Sequence, residues 1–520
     1  MESLSSGLIW KRYPINRGVI EKLLSSAIFN SSRQASTGDY PLRFQVITTS
    51  VTPQTDAHAG TPARPVRRWH QGSLSYTASG LLVLFLFLLI GDFAWSIKER
   101  AVIPVAQVLL KRLDASNLYV ALVVGSVPWA LSMLLGPVIG VWSDRHRGRW
   151  GRRIPFLLVP TPVLVLGLLG MAATTQAGTL LDGFLGASSP GPRLCKLGWF
   201  SAMWIVFELA SATANAVFNG LIADVVPDKL TGRFYGMFRA IALSAAIAFS
   251  YQLVGQVEKY FAAIFIGVAV IYGVGFSLMC WRIREGSYPP AKSQQAGGLS
   301  EVKRYVRECF SHRFYVGLFL AMMLGLISFN PINVFGVFYA QKIGLGLDGF
   351  GKALALSYTC SLVLAFPIGW LADRWHPLNV GLFCITLFAA AMLSAGLLVH
   401  TAKQFEVALI AHGVLAGLYM TGTAAIGQYL FPHDRFGQFQ SAANLLIALG
   451  YTLAPLLMGA WLDMTGQDYR DTFVACGLLA VASALLFLWL LRPFRALGGR
   501  EAYRPPDRHH RSSNVGSRTT

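Results

Sequence analysis

Two stretches with the same pattern, GVWSDR at residues 140–145 and GWLADR at residues 369–374, each stand at the end of a long apolar segment. A second pair, PDKLTG at 227–232 and PHDRFG at 432–437, also follows apolar segments at matching places. Such repetition indicates a chain built from two related halves. Parallel six-helix repeats are typical of membrane carriers in which one half moves against the other around a central site.

The composition is that of a polytopic membrane protein. Of the 520 residues, 54% are hydrophobic and only 13% are charged, whereas soluble domains carry roughly 25% charged residues. The net charge of +19 comes from loops and tails, which favours contact with anionic lipid over nucleic-acid binding. The six cysteines form no CxxC pair, so we expect neither a disulfide framework nor a metal site.

Twelve apolar windows are long enough to cross a bilayer, which requires roughly 20 residues. The predicted fold class is therefore an all-α membrane protein with twelve transmembrane helices in two six-helix bundles. The windows are 79–110, 118–142, 154–175, 198–223, 235–256, 261–281, 314–341, 350–372, 378–400, 404–430, 442–463 and 471–491.

These windows divide the chain into five parts. A polar tail at 1–77, expected to be disordered, precedes the first bundle at 78–282, and a loop at 283–313 leads to the second bundle at 314–491 and a tail at 492–520. The loops after the even-numbered windows hold sixteen Lys and Arg, against eight in the other loops, and the tails add sixteen more. By the positive-inside rule, both termini are expected to be cytoplasmic, in a multi-pass protein of the cell membrane.

The first window contains charged residues in LLIGDFAWSIKERAVIPVAQ, residues 88–107. Each charged group costs on the order of 2.5–3.5 kcal/mol at the centre of a bilayer. Three explanations compete: the charges lie at an interface, form a structural ion-pair network, or line a path for substrate and protons. The interface is disfavoured because the apolar sequence continues through 101–110.

Helical spacing sorts the charges within this window. Asp92 and Glu99 share one face with Trp95, Arg100 lies at the edge of that face, and Lys98 is expected to point elsewhere.

The fourth window supplies a matching polar surface. Glu208, Ser211, Asn215 and Asn219 form one helical stripe. Counting residues from the helix ends predicts that Asn215 lies level with Asp92, and Glu208 level with Glu99 and Arg100. Arg239, near the start of the fifth window, is expected at the interface.

The stretch GPVIGVWSDRHRGRWGRRIPF, residues 136–156, resembles the loop 2–3 signature of the major facilitator superfamily. Its ending RWGRRIPF is most similar to the glycoside–cation branch, which includes melibiose-type permeases and sucrose–proton symporters. GDFA at 91–94 and LIADVVPDKLTGRF at 221–234 fit the same branch. The resemblance covers the first six windows by motif and the last six mostly by topology.

The resemblance implies a sugar site between the halves. Asp92 matches a helix-1 aspartate that binds sugar hydroxyls, and Asn215 stands where relatives have a second aspartate. Amides pair with vicinal hydroxyls and aromatic rings stack on sugar faces, so Asn219 and Trp95 are expected to assist.

Further site residues are expected around this one. Glu99, with Arg100 and Glu208, is the expected proton-coupling group, because burial and a nearby cation both control carboxylate protonation; a structural ion-pair network is the alternative. Asn330 and Asn333 flank Pro331 in the seventh window, where a broken helix can expose backbone groups to a substrate.

The loop 2–3 motif is implied to act as a gate. Asp144 would lie near the start of the eleventh helix, where the helix dipole favours a carboxylate. The arginines of the motif could pair with Asp224 or Asp228, or could only set topology and bind lipid headgroups. The gating residues expected from this motif and from the related stretch at 369–374 are Gly140, Asp144, Arg145, Arg149, Arg152, Arg153, Asp373 and Arg374.

The sequence also departs from the branch. The two positions where melibiose-type carriers hold sodium with aspartates are Ser132 and Gly136 here, and the eleventh window offers Asn444 and Tyr451 instead of a lysine. Hard cations need oxygen ligands that usually include carboxylates, so sodium coupling of that kind is not expected.

The predicted function is proton-coupled uptake of a sugar or glycoside by alternating access. An exporter of amphipathic small molecules and a non-transporting membrane sensor remain as alternatives. No Walker motif or metal cluster appears, so neither enzymatic activity nor a cofactor is expected. The expected partners are a small-molecule substrate, protons and the lipid bilayer, with no nucleic acid and a monomeric chain.

Overall fold

A computed structural model of the chain describes residues 68–287, 299–432 and 435–506. Within these residues twelve helices are long and apolar enough to cross a membrane, which confirms the predicted all-α fold. We number them span 1 to span 12 in chain order: Ala78–Arg112, Asn117–Arg145, Ile154–Ala172, Pro192–Val225, Asp228–Gln252, Val254–Arg282, Arg313–Lys342, Leu347–Trp375, Pro377–Leu398, Ala402–Leu430, Phe436–Met464 and Arg470–Ala496.

Several spans change helix type or break along their length. Span 7 breaks between Ile327 and Asn330, because Pro331 lacks an amide donor and disfavours helical geometry in the residue before it. The pieces are Asn117–Val120, π-helical Ala121–Ser126 and Val127–Arg145 in span 2; Ile154–Leu158 and Pro160–Ala172 in span 3; Asp228–Leu230 and Thr231–Gln252 in span 5; Val254–Gln256 and Val257–Arg282 in span 6; Arg313–Ile327 and Asn330–Lys342 in span 7; Ala402–Thr423 and Ile426–Leu430 in span 10.

The structure also contains elements outside the predicted windows. The strands Trp69–Gln71 and Leu74–Tyr76 pair in an antiparallel hairpin just before span 1. Short helices connect or follow the spans: Thr174–Leu185, Gly186–Ser188, Leu299–Phe310 and Gly499–Ala502.

The hairpin changes the picture of the N-terminal tail. Residues 1–67 of that tail lie outside the described residues. The hairpin is folded against the ends of spans 4 and 6: the side-chain amide of Gln71 donates to the carbonyl of Ala223 at 3.0 Å, and the amide of Ser287 donates to the Ser73 hydroxyl at 2.8 Å. The expectation of disorder therefore does not hold for the end of the tail.

The two halves are in close contact at one face of the molecule, and spans 2 and 8 are more open near the other. We call the face where spans 2 and 8 end, at Arg145 and Trp375, the motif face. Among the described residues, no atom from elsewhere in the chain lies within 4 Å of where side chains would begin on Gly136, Gly140 and Gly369, near that face.

At the opposite face, the halves are in close contact. A side chain on Gly351 of span 8 would collide with the carbonyl oxygen of Ser250 in span 5, and one on Gly125 of span 2 would lie 2.7 Å from Pro455 in span 11. The Gln107 side chain of span 1 donates to the Val334 carbonyl of span 7 at 3.1 Å. The space between the halves is therefore closed at the opposite face.

A polar latch, formed by Asp463 of span 11 and the start of span 2, strengthens this closure. The Asp463 carboxylate accepts hydrogen bonds from the backbone amides of Asn117 and Leu118, at 3.0 and 2.8 Å. The Asn117 side chain in turn donates to Asp463 at 2.8 Å and accepts from the Tyr469 hydroxyl at 2.8 Å. A carboxylate at a helix N-terminus is stabilised by the free amides and by the helix dipole.

Candidate functional site

A buried lysine is the centre of the polar site in the N-terminal half. The Lys98 ammonium lies 2.5 Å from the Glu99 carboxylate and donates to the Ser211 hydroxyl of span 4 at 2.8 Å. The Trp95 ring lies beneath it, with its centroid 3.7 Å away. The Lys98 side chain is 1% exposed, whereas that of Glu99 is 47% exposed. The ion pair therefore joins a buried ammonium group to a carboxylate that is partly exposed at the protein surface.

Lys98 thus does not point away from Glu99, and that expectation was wrong. Helical spacing determines where the Cβ atom points, but a four-carbon side chain can bend back towards a carboxylate.

Glu208 completes this cluster from span 4. Its side chain is buried, at 8% exposure, and lies within electrostatic range of both Lys98 and Glu99. One cation therefore has two carboxylates in its vicinity and is bonded to Glu99 in this structure. In such an arrangement, moving a proton can change which carboxylate the cation pairs with.

Asp92 is a separate, unsatisfied carboxylate on the same span. It is 5% exposed, and its Oδ2 atom is buried without a hydrogen-bond partner. Buried polar atoms in proteins are nearly always hydrogen-bonded. Asp92 consequently offers a strong acceptor to a bound molecule.

The Trp95 ring joins these groups through aromatic packing. It stacks on Phe218 of span 4 with ring centroids 5.7 Å apart, and it also contacts Tyr272 and Phe276 of span 6. Trp95 is half-buried in this packing, so only part of its ring is available to a ligand.

The predicted asparagines fall into two environments. Asn215, Asn219 and Asn333 are exposed, whereas Asn330 is buried with its Oδ1 atom unpartnered. Asn215 and Asn219 continue the stripe of Glu208 along span 4.

Arg100 does not join the Lys98 cluster. Its guanidinium lies over the Tyr358 ring of span 8, 5.4 Å from the centroid, and therefore faces the C-terminal half.

His412 of span 10 is also buried and packs against Phe329 and Phe388, with its Nε2 atom unpartnered.

The loop 2–3 motif forms a compact ionic network at the motif face. Arg152 makes two hydrogen bonds to the Asp224 carboxylate, at 2.7 and 3.1 Å, and Arg153 makes a third at 2.6 Å. Arg153 also pairs with Asp144 at 2.9 Å. The Glu285 carboxylate accepts from three successive amides at the start of span 3, those of Arg152, Arg153 and Ile154, at 2.7–3.0 Å.

The network differs from the expected latch in one respect. Asp144 pairs with arginines of its own half and not with the start of span 11. The predicted pairing of the arginines with Asp224 is present, through Arg152 and Arg153.

The remaining motif residues are outside this network. Arg145 and Arg149 are exposed and make no ion pair with the described residues, and nothing packs on Gly140. In the related motif at the end of span 8, residues 369–374, the backbone carbonyls of Asp373 and Arg374 accept hydrogen bonds from Arg500.

Two important side chains were not identified from the sequence: Glu285 caps span 3, and Asp463 closes the opposite face. Ser211 belongs to the predicted polar stripe of span 4, and the structure shows that it binds Lys98. Glu285 is one of three acids in the basic loop at 283–313, and its position directly after Arg282 and Arg284 was only a weak signal. Asp463 carried no signal, because its partners lie more than 340 residues away in the chain.

These observations define the class of protein. Twelve apolar spans form two halves that are in close contact at one face, and spans 1 and 4 carry a cluster of polar and charged groups. Among residues 68–287, 299–432 and 435–506, no three His, Cys, Asp or Glu side chains are grouped to hold a metal ion. The molecule has the architecture of a membrane carrier.

The family model of the Major Facilitator Superfamily matches residues 81–353 and 318–517. The chain belongs to this superfamily, and it is a multi-pass membrane protein.

Curated relatives are similar over part of their length. The Membrane-associated transporter protein of Mus musculus is 33% identical over 169 residues, which are 30% of this chain and 29% of that protein. The Sucrose transport protein SUT4 of Oryza sativa subsp. indica is 24% identical over 212 residues, 39% of this chain and 34% of that protein. The aligned segments thus span about a third of these relatives.

Solved structures share the fold at low sequence identity. The nucleoside transporter NupG superposes with a TM-score of 0.60 at 13% identity, covering 78% of this chain and 99% of that one. The inward-open xylose transporter XylE from E. coli superposes with a TM-score of 0.56 at 12% identity, covering 79% of this chain and 96% of that one.

Proposed function

We propose that this transporter takes up a sugar or glycoside together with protons, by alternating access between the two faces. The observation that carries the proposal is the Lys98 cluster, in which a buried cation is bonded to a partly exposed carboxylate, Glu99, and lies within electrostatic range of a buried one, Glu208. Charged groups this deep in a membrane protein mark transport pathways.

Asp92 is the proposed sugar ligand. Its buried, unpartnered oxygen can accept a hydrogen bond from a sugar hydroxyl. Asn215 and Asn219 supply further donors and acceptors from span 4, and the exposed Asn333 supplies them from span 7.

In this proposal, Trp95 couples sugar binding to the protonation of Glu99. It lies between Asp92 and Lys98 in the chain, and the Lys98 ammonium lies over its ring. A sugar that contacts Asp92 and Trp95 would displace Lys98 from Glu99. A proton on Glu99 would replace the lost ion pair, so that substrate and proton bind together.

The glycoside–cation branch and the orientation belong to the same proposal. The loop 2–3 motif supports the branch, as does the similarity to a protein named for sucrose transport. The excess of Lys and Arg on the motif face supports placing that face and both termini in the cytoplasm of a cell-membrane protein. The carrier is then open to the cytoplasm in this structure and acts as a monomer.

The test is sugar-induced proton movement in proteoliposomes, measured for a panel of mono- and disaccharides with and without sodium. We expect one sugar or glycoside to move protons regardless of sodium. Glu99→Gln should abolish proton movement while sugar binding persists, and Asp92→Asn should abolish sugar binding. Glu406→Gln is the matched control, because Glu406 is a partly exposed acid that pairs with Lys403 at the opposite face.

The outcomes separate the alternatives. If no sugar moves protons and both variants behave as the wild type does, the charges of span 1 are structural and the proposal is wrong. Efflux of amphipathic compounds in the same vesicles would identify an exporter, and binding without any flux would identify a sensor.

A further inference from the structure

Two arginines lie at the same depth between the halves. Arg100 precedes the end of span 1 by 12 residues, and Arg239 precedes the end of span 5 by 13. At 1.5 Å per residue, both are roughly 18–20 Å from the opposite face. The structure starts span 5 at Asp228, seven residues before the predicted window. Arg239 is therefore deep in the helix and not at the interface, as the sequence had suggested.

Both guanidinium groups are exposed and lack a carboxylate partner. Within the described part of the chain, neither Arg100 nor Arg239 makes a salt bridge or a side-chain hydrogen bond, and the two repel each other electrostatically. Glu99 lies within electrostatic range of Arg100, but its carboxylate is bonded to Lys98. The charge of this arginine pair is left uncompensated by an ion pair.

Unpaired charges at this depth are costly, and two like charges close together are more so. A ligand that brings a negative charge removes this cost, and the planar guanidinium group is suited to two-point binding of a carboxylate. The exposed Glu99 carboxylate lies next to Arg100. A singly charged carboxylate is therefore favoured over a doubly charged phosphate.

We propose that Arg100 and Arg239 bind a carboxylate of the transported molecule, so that the substrate is a sugar acid or an acidic glycoside. This inference rests on the proposed function, since it assumes that a sugar binds between the halves. It assigns Arg100 to the substrate and leaves proton coupling to Lys98, Glu99 and Glu208.

The test compares matched sugars that differ only in the acid group, glucose with glucuronate and galactose with galacturonate. Binding to the purified full-length transporter is measured by calorimetry, and uptake is measured in proteoliposomes. We expect the acid of at least one pair to bind ten times more tightly or better. Arg100→Gln and Arg239→Gln should remove this preference, and the lysine variants should restore part of it.

Arg233→Gln is the matched control, because Arg233 is exposed on the same span as Arg239 but close to the motif face. It should keep the preference for the acid. If the neutral sugar binds as well as the acid in every pair, the inference is overturned, while the proposed function as a sugar transporter is retained. If no member of any pair binds or is transported, the proposed function fails and this inference fails with it.

Discussion

Span 1 contains a lysine that is almost fully buried, and its neighbours show how the chain tolerates it. Lys98 has a carboxylate at 2.5 Å, a hydroxyl at 2.8 Å and an aromatic ring beneath it. Each contact replaces part of the hydration that burial removes. The charged residues were visible in the sequence, but their pairing depended on the bend of one long side chain.

His376, between spans 8 and 9, provides a prediction at the scale of one residue. It is buried with a positive φ of 77°, and its ring accepts a hydrogen bond from the Leu378 amide. Burial, with a smaller effect of Arg500, lowers the pKa of His376 from 6.5 to about 4. Above pH 6.5 the folded and unfolded chains both have a neutral imidazole. As the pH falls, the unfolded chain is protonated first, so stability is lost between pH 6.5 and pH 4.

The expected loss from this one group is roughly 1–3 kcal/mol, because solvent screens part of the effect. In His376→Asn, an amide that tolerates the positive φ replaces the imidazole, and the variant should lose less stability over the same pH range. Thermal unfolding in detergent across pH 4–8 measures the difference. Parallel curves for the wild type and this variant would contradict the prediction. His70→Asn, at an exposed histidine, is the control and should follow the wild type.

At the scale of one element, the start of span 3 depends on Glu285. Its carboxylate accepts three backbone hydrogen bonds at a helix N-terminus. Glu285→Ala should therefore destabilise the protein by about 1–2 kcal/mol and lower the unfolding midpoint. Glu406→Ala removes a surface ion pair and should cost less than about 1 kcal/mol. Equal midpoints for the two variants would show that the cap contributes nothing.

The start of span 2 depends on Asp463 in the same way, but here the cap joins the two halves. In Asp463→Asn, an amide nitrogen would face one of two backbone donors, so we expect roughly a tenfold shift away from the state closed at the opposite face. Spin labels on Ser188 and Lys403, both exposed at that face, measure the separation. Asp471→Asn is the control, because Asp471 bonds only within its own half, to Trp461. An unchanged distance distribution in Asp463→Asn would refute the latch.

At the scale of the whole molecule, closure of the opposite face requires the absence of a side chain at Gly351. A Cβ atom there would collide with the Ser250 carbonyl across the interface between spans 8 and 5. Gly351→Ala should therefore hold the opposite face open and stop turnover while the chain still folds. Gly369→Ala, on the same span with open space around it, should leave the face closed.

The labels on Ser188 and Lys403 also measure this difference. We expect a longer and broader distance distribution in Gly351→Ala than in Gly369→Ala. The same distribution in both variants would mean that the close approach of spans 5 and 8 does not control closure.

The sequence by itself determined the twelve spans, the two halves and the set of charged residues in span 1. Apolar length and repeated motifs are local properties, because a bilayer selects each span by its own composition. Asp92, Glu99 and Glu208 were found because charge is rare in such segments.

Only the tertiary structure decided which groups are partners. It paired Lys98 with Glu99, placed Asp463 on the start of span 2, brought Arg239 to the level of Arg100 and folded the hairpin before span 1. These contacts join residues that are distant in the chain or depend on how a side chain bends, and helical periodicity carries no information about either. The face at which the halves meet is likewise a property of packing between spans, not of any one span.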